Sequence, residues 1–199
     1  IGRFALTGAY DVSKIISVGG SSISERKYYK TISGASISSI INEKAIDDNS
    51  RIISGNVLTG EQVNLDGFLG FYHHQLSVIP EGNKHKFFLT DGWLSPGFNS
   101  FSASRAYPSW LMPKSKSYNL DTNLNGEERA FVVSGQYEKV FPFDIYPVQL
   151  LKSIITNDIE KMESLGIYEV SPEDFALCEF VCTSKVNLQK IVRDGLDLI

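Results

Sequence analysis

Only two of the 199 residues are cysteines, Cys178 and Cys182, too few for a disulfide framework and in keeping with a reducing compartment. No apolar run approaches the roughly 20 residues that a membrane-spanning helix needs, so a chain without a transmembrane segment is expected. The N-terminus also lacks a basic region followed by an apolar stretch and a cleavage site. Charge of one sign is scarce as well. Nineteen basic and 23 acidic residues leave a net charge of -4, with the basic residues scattered, which argues against nucleic acid or an anionic membrane as the partner. An HExxH helix, a Walker-type glycine loop, a GxGxxG run and an ordered Ser-His-Asp set are all missing. The chain opens "IGRFALTG" without a methionine and is expected to be a piece of something longer.

What is present is α+β in pattern. "RFALTG", "SKIISVGG" and "KYYKTI" have strand composition. In "SGASISSIINEKAIDDNS", Ile37, Ile40 and Ile41 recur at helical spacing, predicting one short helix before "RIISGNVLTGEQV" returns to strands. From 76 to 130 aromatics are interleaved with Gly, Pro, Ser and Asn. This stretch is expected to be a β-rich connector with exposed loops, and "PEGNK" a hairpin turn within it. From about 140 the pattern is helical. "DIYPVQLLKSIITNDIEKMESLG" carries Val148, Leu151, Ile154 and Ile155 on one face, and stops at Gly166. "SPEDFALCEFVC" starts with a Ser cap, Pro at the first helical position and acids in the first turn, and "VNLQKIVRDGLDLI" is amphipathic.

Few residues invite chemistry. His73 and His74 are adjacent, and on a strand they point to opposite faces, which prevents both from ligating one metal. The acidic pairs Asp47/Asp48, Glu127/Glu128 and Glu173/Asp174 read as solvated faces or helix caps. Phe87, Phe88, Trp93, Phe98, Phe101, Tyr107 and Trp110 are dense for a loop-rich stretch, and are either a docking surface or an apolar ligand cleft or, more in keeping with ordinary packing, a local core. Cys178 and Cys182 stand one helical turn apart, a poor geometry for a disulfide, and the nearest histidine in sequence is the distant His85. Buried, unreactive thiols are the expected state.

The spacing around them is more informative. A bacterial ferredoxin run places cluster ligands as C-x2-C-x2-C-x3-C-P. Laid so that its last two ligands fall on Cys178 and Cys182, the run puts its first two on Pro172 and Phe175. The same spacing laid on "FVVSGQYEKVFP" falls on Phe131, Ser134, Tyr137 and Phe141, with Pro142 in the closing position. Neither run can hold a cluster. Six of the eight positions have lost their thiol, four of them to Phe or Tyr, groups bulky enough to fill the space.

With "FALTGAYDV", "RIISGNVLTG", "LGFYHHQLSVIPEG", "GWLSPGFNSFSASR", "NGEERAFVVSGQYEKVFPFDI" and "PEDFALCEFVC" in this order, the chain resembles the C-terminal half of the NqrA subunit of the sodium-translocating NADH:quinone oxidoreductases. The resemblance implies a soluble-ligand-binding β-grasp domain over 1–75, the connector over 76–130, and a helical, degenerate ferredoxin-like domain over 131–199. It also implies a peripheral subunit on the cytoplasmic face of the bacterial inner membrane, bound to the other subunits of a membrane complex. In that complex flavins, iron centres, NADH and quinone chemistry belong to other subunits, and this piece carries no cofactor and is inactive alone. Quinone contact is implied for the subunit, without a residue to carry it. Two rival readings stand beside this one: a β-grasp module that binds a small ligand independently, and a metal or redox protein in which Cys178 and Cys182 share ligands with a partner chain.

Overall fold

A computed structural model describes residues 2–42, 45–83, 86–89, 92, 94–132 and 135–199. The chain is mixed α and β and divides into two units, Ile1–His85 with Ser117–Asn123, and Lys86–Lys116 with Leu124–Ile199.

The first unit begins with a helix where a strand was expected. "RFALTG" lies in α1 (Gly2–Thr7), closed by a 2.8 Å bond from the Gly8 N–H to the Phe4 carbonyl and by the Thr7 hydroxyl on the Arg3 carbonyl. Arg, Ala and Leu are good helix formers, and without a partner strand local hydrogen bonding prevails. Next come β1 (Ser13–Gly20), β2 (Lys27–Ile32), α2 (Ile37–Ile40), β3 (Ser50–Ser54), β4 (Glu61–Val63) and β5 (Gln75–Pro80). They form one sheet in the order β2-β1-β5-β3-β4. The central β1–β5 pair is parallel, with Val18 opposite Leu76, and the other pairings are antiparallel. Alternation along β1 turns Ile16 and Val18 inward, where Leu76, Val78, Ile37, Ile40 and Ile41 close the core. The predicted short helix is α2, and both of its isoleucines are buried.

Strand β5 crosses the expected boundary at 75/76. Among the described residues of 81–130 no further strand follows, only a 3-10 turn at Pro108–Leu111, so the β-rich connector is not β. Its Gly, Pro, Ser and Asn residues favour turns over a ladder. Of "HKFFL", residues 86–89 are not in a strand, and Lys84 and His85 lie outside the described residues. Residues Ser117–Asn123 instead return to the first unit. There the Thr122 hydroxyl accepts from the Gly82 N–H and donates to Glu81, each at 2.7 Å. The Arg51 guanidinium also grips Glu81, with Nε 3.0 Å from Oε2, and together these bonds hold the Glu81 carboxyl below its usual pKa.

The second unit packs α3 (Pro147–Ile155), α4 (Ile159–Ser164), α5 (Ala176–Val181) and α6 (Leu188–Leu198). The helical stretch expected from 144 to 166 is two helices. Asn157 takes a left-handed φ of 55° and Asp158 caps α4, accepting from the Lys161 N–H. Asparagine enters that region at low cost, so the break falls there. The helix face also differs from expectation, since Leu150 is buried and Ile155 is exposed. Gly166, with φ 88°, ends α4 as predicted.

Candidate functional site

The cysteines enter by way of a capped turn. Ser171 precedes Pro172, and the Asp174 carboxylate accepts from the Ser171 N–H at 2.8 Å and its hydroxyl at 2.9 Å. That turn (Pro172–Phe175) leads into α5, which carries Cys178 near its middle and ends with Cys182 as its C-cap. Both thiols are free and buried, Cys178 fully so.

Tyr137, from the short turn Tyr137–Lys139, meets both of them. Its hydroxyl lies 2.9 Å from Cys182 Sγ, and the Cys178 thiol donates to its carbonyl at 3.8 Å. Around this centre the Phe141 and Phe175 rings sit 4.7 Å apart, and Phe131 lies 6.0 Å from the Tyr137 ring. Lys152 Nζ rests 5.8 Å over the Phe131 ring. All of these aromatics and thiols belong to, or pack against, one core with Val148, Leu151, Met162, Ile167, Leu188 and Val192. Thus two stretches some forty residues apart come together, and Phe131, Tyr137, Phe141, Phe175, Cys178 and Cys182 share one interior. Pro172 is buried in the same turn, while Ser134 lies outside the described residues.

The electrostatics of this interior favour the protonated forms of its thiol and phenol. Burial, then the negative field of Glu138 and of Cys182, pushes the Cys178 thiol up to about 12. Burial also raises the Tyr137 phenol, reinforced by its bond to Cys182. Both groups are therefore neutral at pH 7. The donor set does not fit an iron-sulfur cluster, since two thiols among aromatic rings cannot supply four ligands. Among the described residues no group of three or more His, Cys, Asp and Glu side chains is placed to hold a metal.

The aromatics of 87–110 do not form a local core. Phe87, Phe88, Phe98, Phe101 and Trp110 are exposed, and none belongs to either core cluster. Tyr107 is half-buried because Gly97, at φ 65°, makes room for its ring: a Cβ there would stand 1.9 Å from Tyr107 Cδ1. Arg105 lies over Trp110 at 5.6 Å and Phe101 meets Phe180 at 6.2 Å. Trp93 lies outside the described residues. Without strand partners to bury them, these rings stay at the surface.

A second site in the sheet-bearing unit was not foreseen. His73 and His74 precede β5 rather than lying on a strand, and both line one shallow cleft of about 440 Å³ with Ser17, Asn56, Thr59 and Gln75. The alternation that set them on opposite faces therefore does not apply. The His73 ring is seated between Gly55 and Gly70, and at either position a Cβ would come within 3.2 Å of the ring. Its Nδ1 is 2.8 Å from the buried Ser54 hydroxyl, which also accepts the Gly70 N–H at 2.9 Å. Lys14 Nζ holds the same loop through the Phe71 carbonyl at 2.5 Å. Glycines at 55 and 70 were the sequence's only trace of this seat.

Among the described residues no helix is long and apolar enough to cross a membrane. Residues 15–64, spanning most of β1 to β4, match a family described as the NQRA C-terminal domain. Relatives named as the NqrA subunit of a Na(+)-translocating NADH-quinone reductase match along the entire chain: 40% identity over 200 residues in Hahella chejuensis, 40% over 201 in Rhodopirellula baltica and 37% over 199 in Vibrio atlanticus. The chain spans 43 to 44% of the length of these relatives. Along its whole length the chain is thus similar to the NqrA subunits of Na(+)-translocating NADH-quinone reductases, and over residues 15–64 to the domain described as that subunit's C-terminal one.

Proposed function

We propose that this chain is the C-terminal, peripheral part of NqrA in a sodium-pumping NADH-quinone reductase, where it serves assembly and carries no cofactor of its own. The similarity along its whole length to proteins of that name carries the reading. On this reading it meets the other subunits on the cytoplasmic face of the inner membrane, NADH oxidation and the flavin and iron chemistry lie elsewhere in the complex, and quinone contact belongs to the assembled enzyme. The aromatic residues exposed between Phe87 and Trp110 are the proposed docking surface.

Two finer assignments belong to the same reading. The sheet order β2-β1-β5-β3-β4, its parallel central pair and the helix placed after the first hairpin support a β-grasp domain. The convergence of Phe131, Tyr137, Phe141, Phe175, Cys178 and Cys182 in one core supports a degenerate ferredoxin-like unit. The test is iron and acid-labile sulfide in the purified, unaltered protein, followed by cross-linking in the whole complex. We expect neither element at cluster stoichiometry, and cross-links to other subunits within 87–110. Cluster-level iron would sink the cofactor-free reading, and cross-links confined to other surfaces would remove the docking proposal.

The polar cleft at His73 and His74 favours a second reading, a small-ligand module acting independently. A thermal-shift screen with quinones, nucleotides and cobalamins separates the two, because a ligand bound only to the native state raises Tm. No shift leaves the assembly role alone.

A further inference from the structure

In two-cluster ferredoxins the fourth cysteine of each run ligates the cluster of the other run, so a run contributes three ligands to its own site and one across. Applied to this chain, that rule groups Phe131, Ser134 and Tyr137 with Cys182, and Pro172, Phe175 and Cys178 with Phe141. Three side-chain contacts follow those lines. Tyr137 reaches Cys182 at 2.9 Å, the fourth position of the other run, and Phe141 packs on Phe175 at 4.7 Å, again a fourth position on the opposite run. Phe131 contacts Tyr137, its own run-mate. The hydrogen bond between the groups, Cys178 to Tyr137, goes to the backbone carbonyl and not to the phenol.

We propose that Cys178 and Cys182 are not a pair but the last thiols of two separate, crosswise cluster sites. Tyr137 fills one of these sites and bonds its surviving thiol, and Phe141 with Phe175 fills the other. The residues present do not fit a cluster in either place, and that misfit is the point: each site has been closed by aromatic side chains reaching across the two runs. This inference rests on the degenerate ferredoxin-like reading above and adds which residues belonged together.

The test rebuilds the site whose four positions are all described. Full-length protein carrying Phe141→Cys, Pro172→Cys and Phe175→Cys supplies four thiols crosswise with Cys178. A second variant, Pro172→Cys with Phe175→Cys, restores the complete linear run ending in Cys182. After anaerobic incubation with ferrous iron and sulfide, the crosswise variant is expected to hold about four iron and four sulfide per chain, with thiolate-to-iron absorption near 400 nm. The linear variant is expected to hold less than half as much. Equal or greater uptake by the linear variant, or none by a folded crosswise variant, overturns the proposal.

If either variant fails to fold, double-mutant cycles on denaturant midpoints decide. Tyr137→Phe with Cys182→Ser, and Phe141→Leu with Phe175→Leu, are expected to be non-additive, and Phe141→Leu with Cys182→Ser additive. The reverse pattern overturns the proposal. Iron in the unaltered protein would instead sink the cofactor-free reading, so the two failures remain distinguishable.

Discussion

In the sheet-bearing unit the buried side chains are mostly Ile, Val and Leu, set in place by strand register, whereas the helical unit buries Tyr137, Phe175, Met162 and both thiols among short helices and turns. Ladder hydrogen bonds fix β1 against β5 residue by residue, so that along β1 the inward positions are decided by alternation. No such ladder orders the helical core among its described residues. Its specificity comes from side chains that touch across long sequence separations, such as Phe141 on Phe175 and Tyr137 on Cys182. The first unit is therefore expected to be sensitive to changes that disturb backbone approach, and the second to loss of ring volume.

The largest expected effect follows from that volume. Phe175 is fully buried and packs on Phe141, so Phe175→Ala leaves a ring-sized void in the place where the helical unit has no backbone ladder to fall back on. A loss of about 3–5 kcal/mol is expected. Urea titration followed by tryptophan fluorescence measures it, because Trp110 falls in this unit. A loss under about 1 kcal/mol would place the core's energy elsewhere and break the comparison.

Glycines sharpen the contrast. At Gly20, in the sheet, φ is 129° and an added Cβ would stand 1.8 Å from the Val78 carbonyl oxygen. That neighbour is backbone in a paired strand and cannot yield. At Gly195, on α6, the Cβ would stand 2.9 Å from Ile154 Cγ2, a side-chain methyl rather than paired backbone. Gly20→Ala is expected to cost on the order of 3 kcal/mol through strain and overpacking. Gly195→Ala is expected to cost about 0–2 kcal/mol, since overpacking of about 1–3 kcal/mol is offset by roughly 1 kcal/mol of helix propensity. Thermal unfolding of the two variants, measured side by side, reverses the comparison if Gly195→Ala proves the more damaging.

The two units also differed in how far the sequence disclosed them. Strand β1 was legible because one face is buried, which forces apolar residues into alternation, β2 to β4 through their strand-favouring composition, and α2 because Ile37 and Ile40 repeat at helical spacing. "RFALTG" misled because its composition suits either state and only a partner strand could have chosen. The division between α3 and α4 turns on the single left-handed residue Asn157. At the cysteines, spacing pointed to the eight positions, but it could not say which of them face each other. That depends on α5 packing against the Tyr137 turn, a contact spanning 45 residues. The seat of His73 was hidden for the same reason, since Ser54 lies 19 residues away and nothing local marks the bond.

Alkaline titration sets the units against each other with opposite signs. In the helical unit the folded Cys178 thiol is raised from its ordinary 9.0 to about 12, so above pH 9 the unfolded chain releases a proton that the folded chain keeps. Stability of that unit therefore falls as pH rises from 9 to 12, by at most about 1.4 kcal/mol per pH unit from this group. The raised Tyr137 phenol acts in the same direction. In the sheet-bearing unit burial lowers the Lys14 ammonium below its ordinary 10.5, so approaching that pH from below the unfolded chain holds the proton that the folded chain has lost. Its contribution to stability thus rises with pH over that window. Tryptophan fluorescence for the helical unit and methyl NMR signals of Ile16 and Leu76 for the sheet should show midpoints moving apart between pH 9 and 10.5. Cys178→Ala should flatten the fluorescence trend and leave the methyl trend unchanged, and parallel trends in both units would show that neither buried group governs its own unit's response.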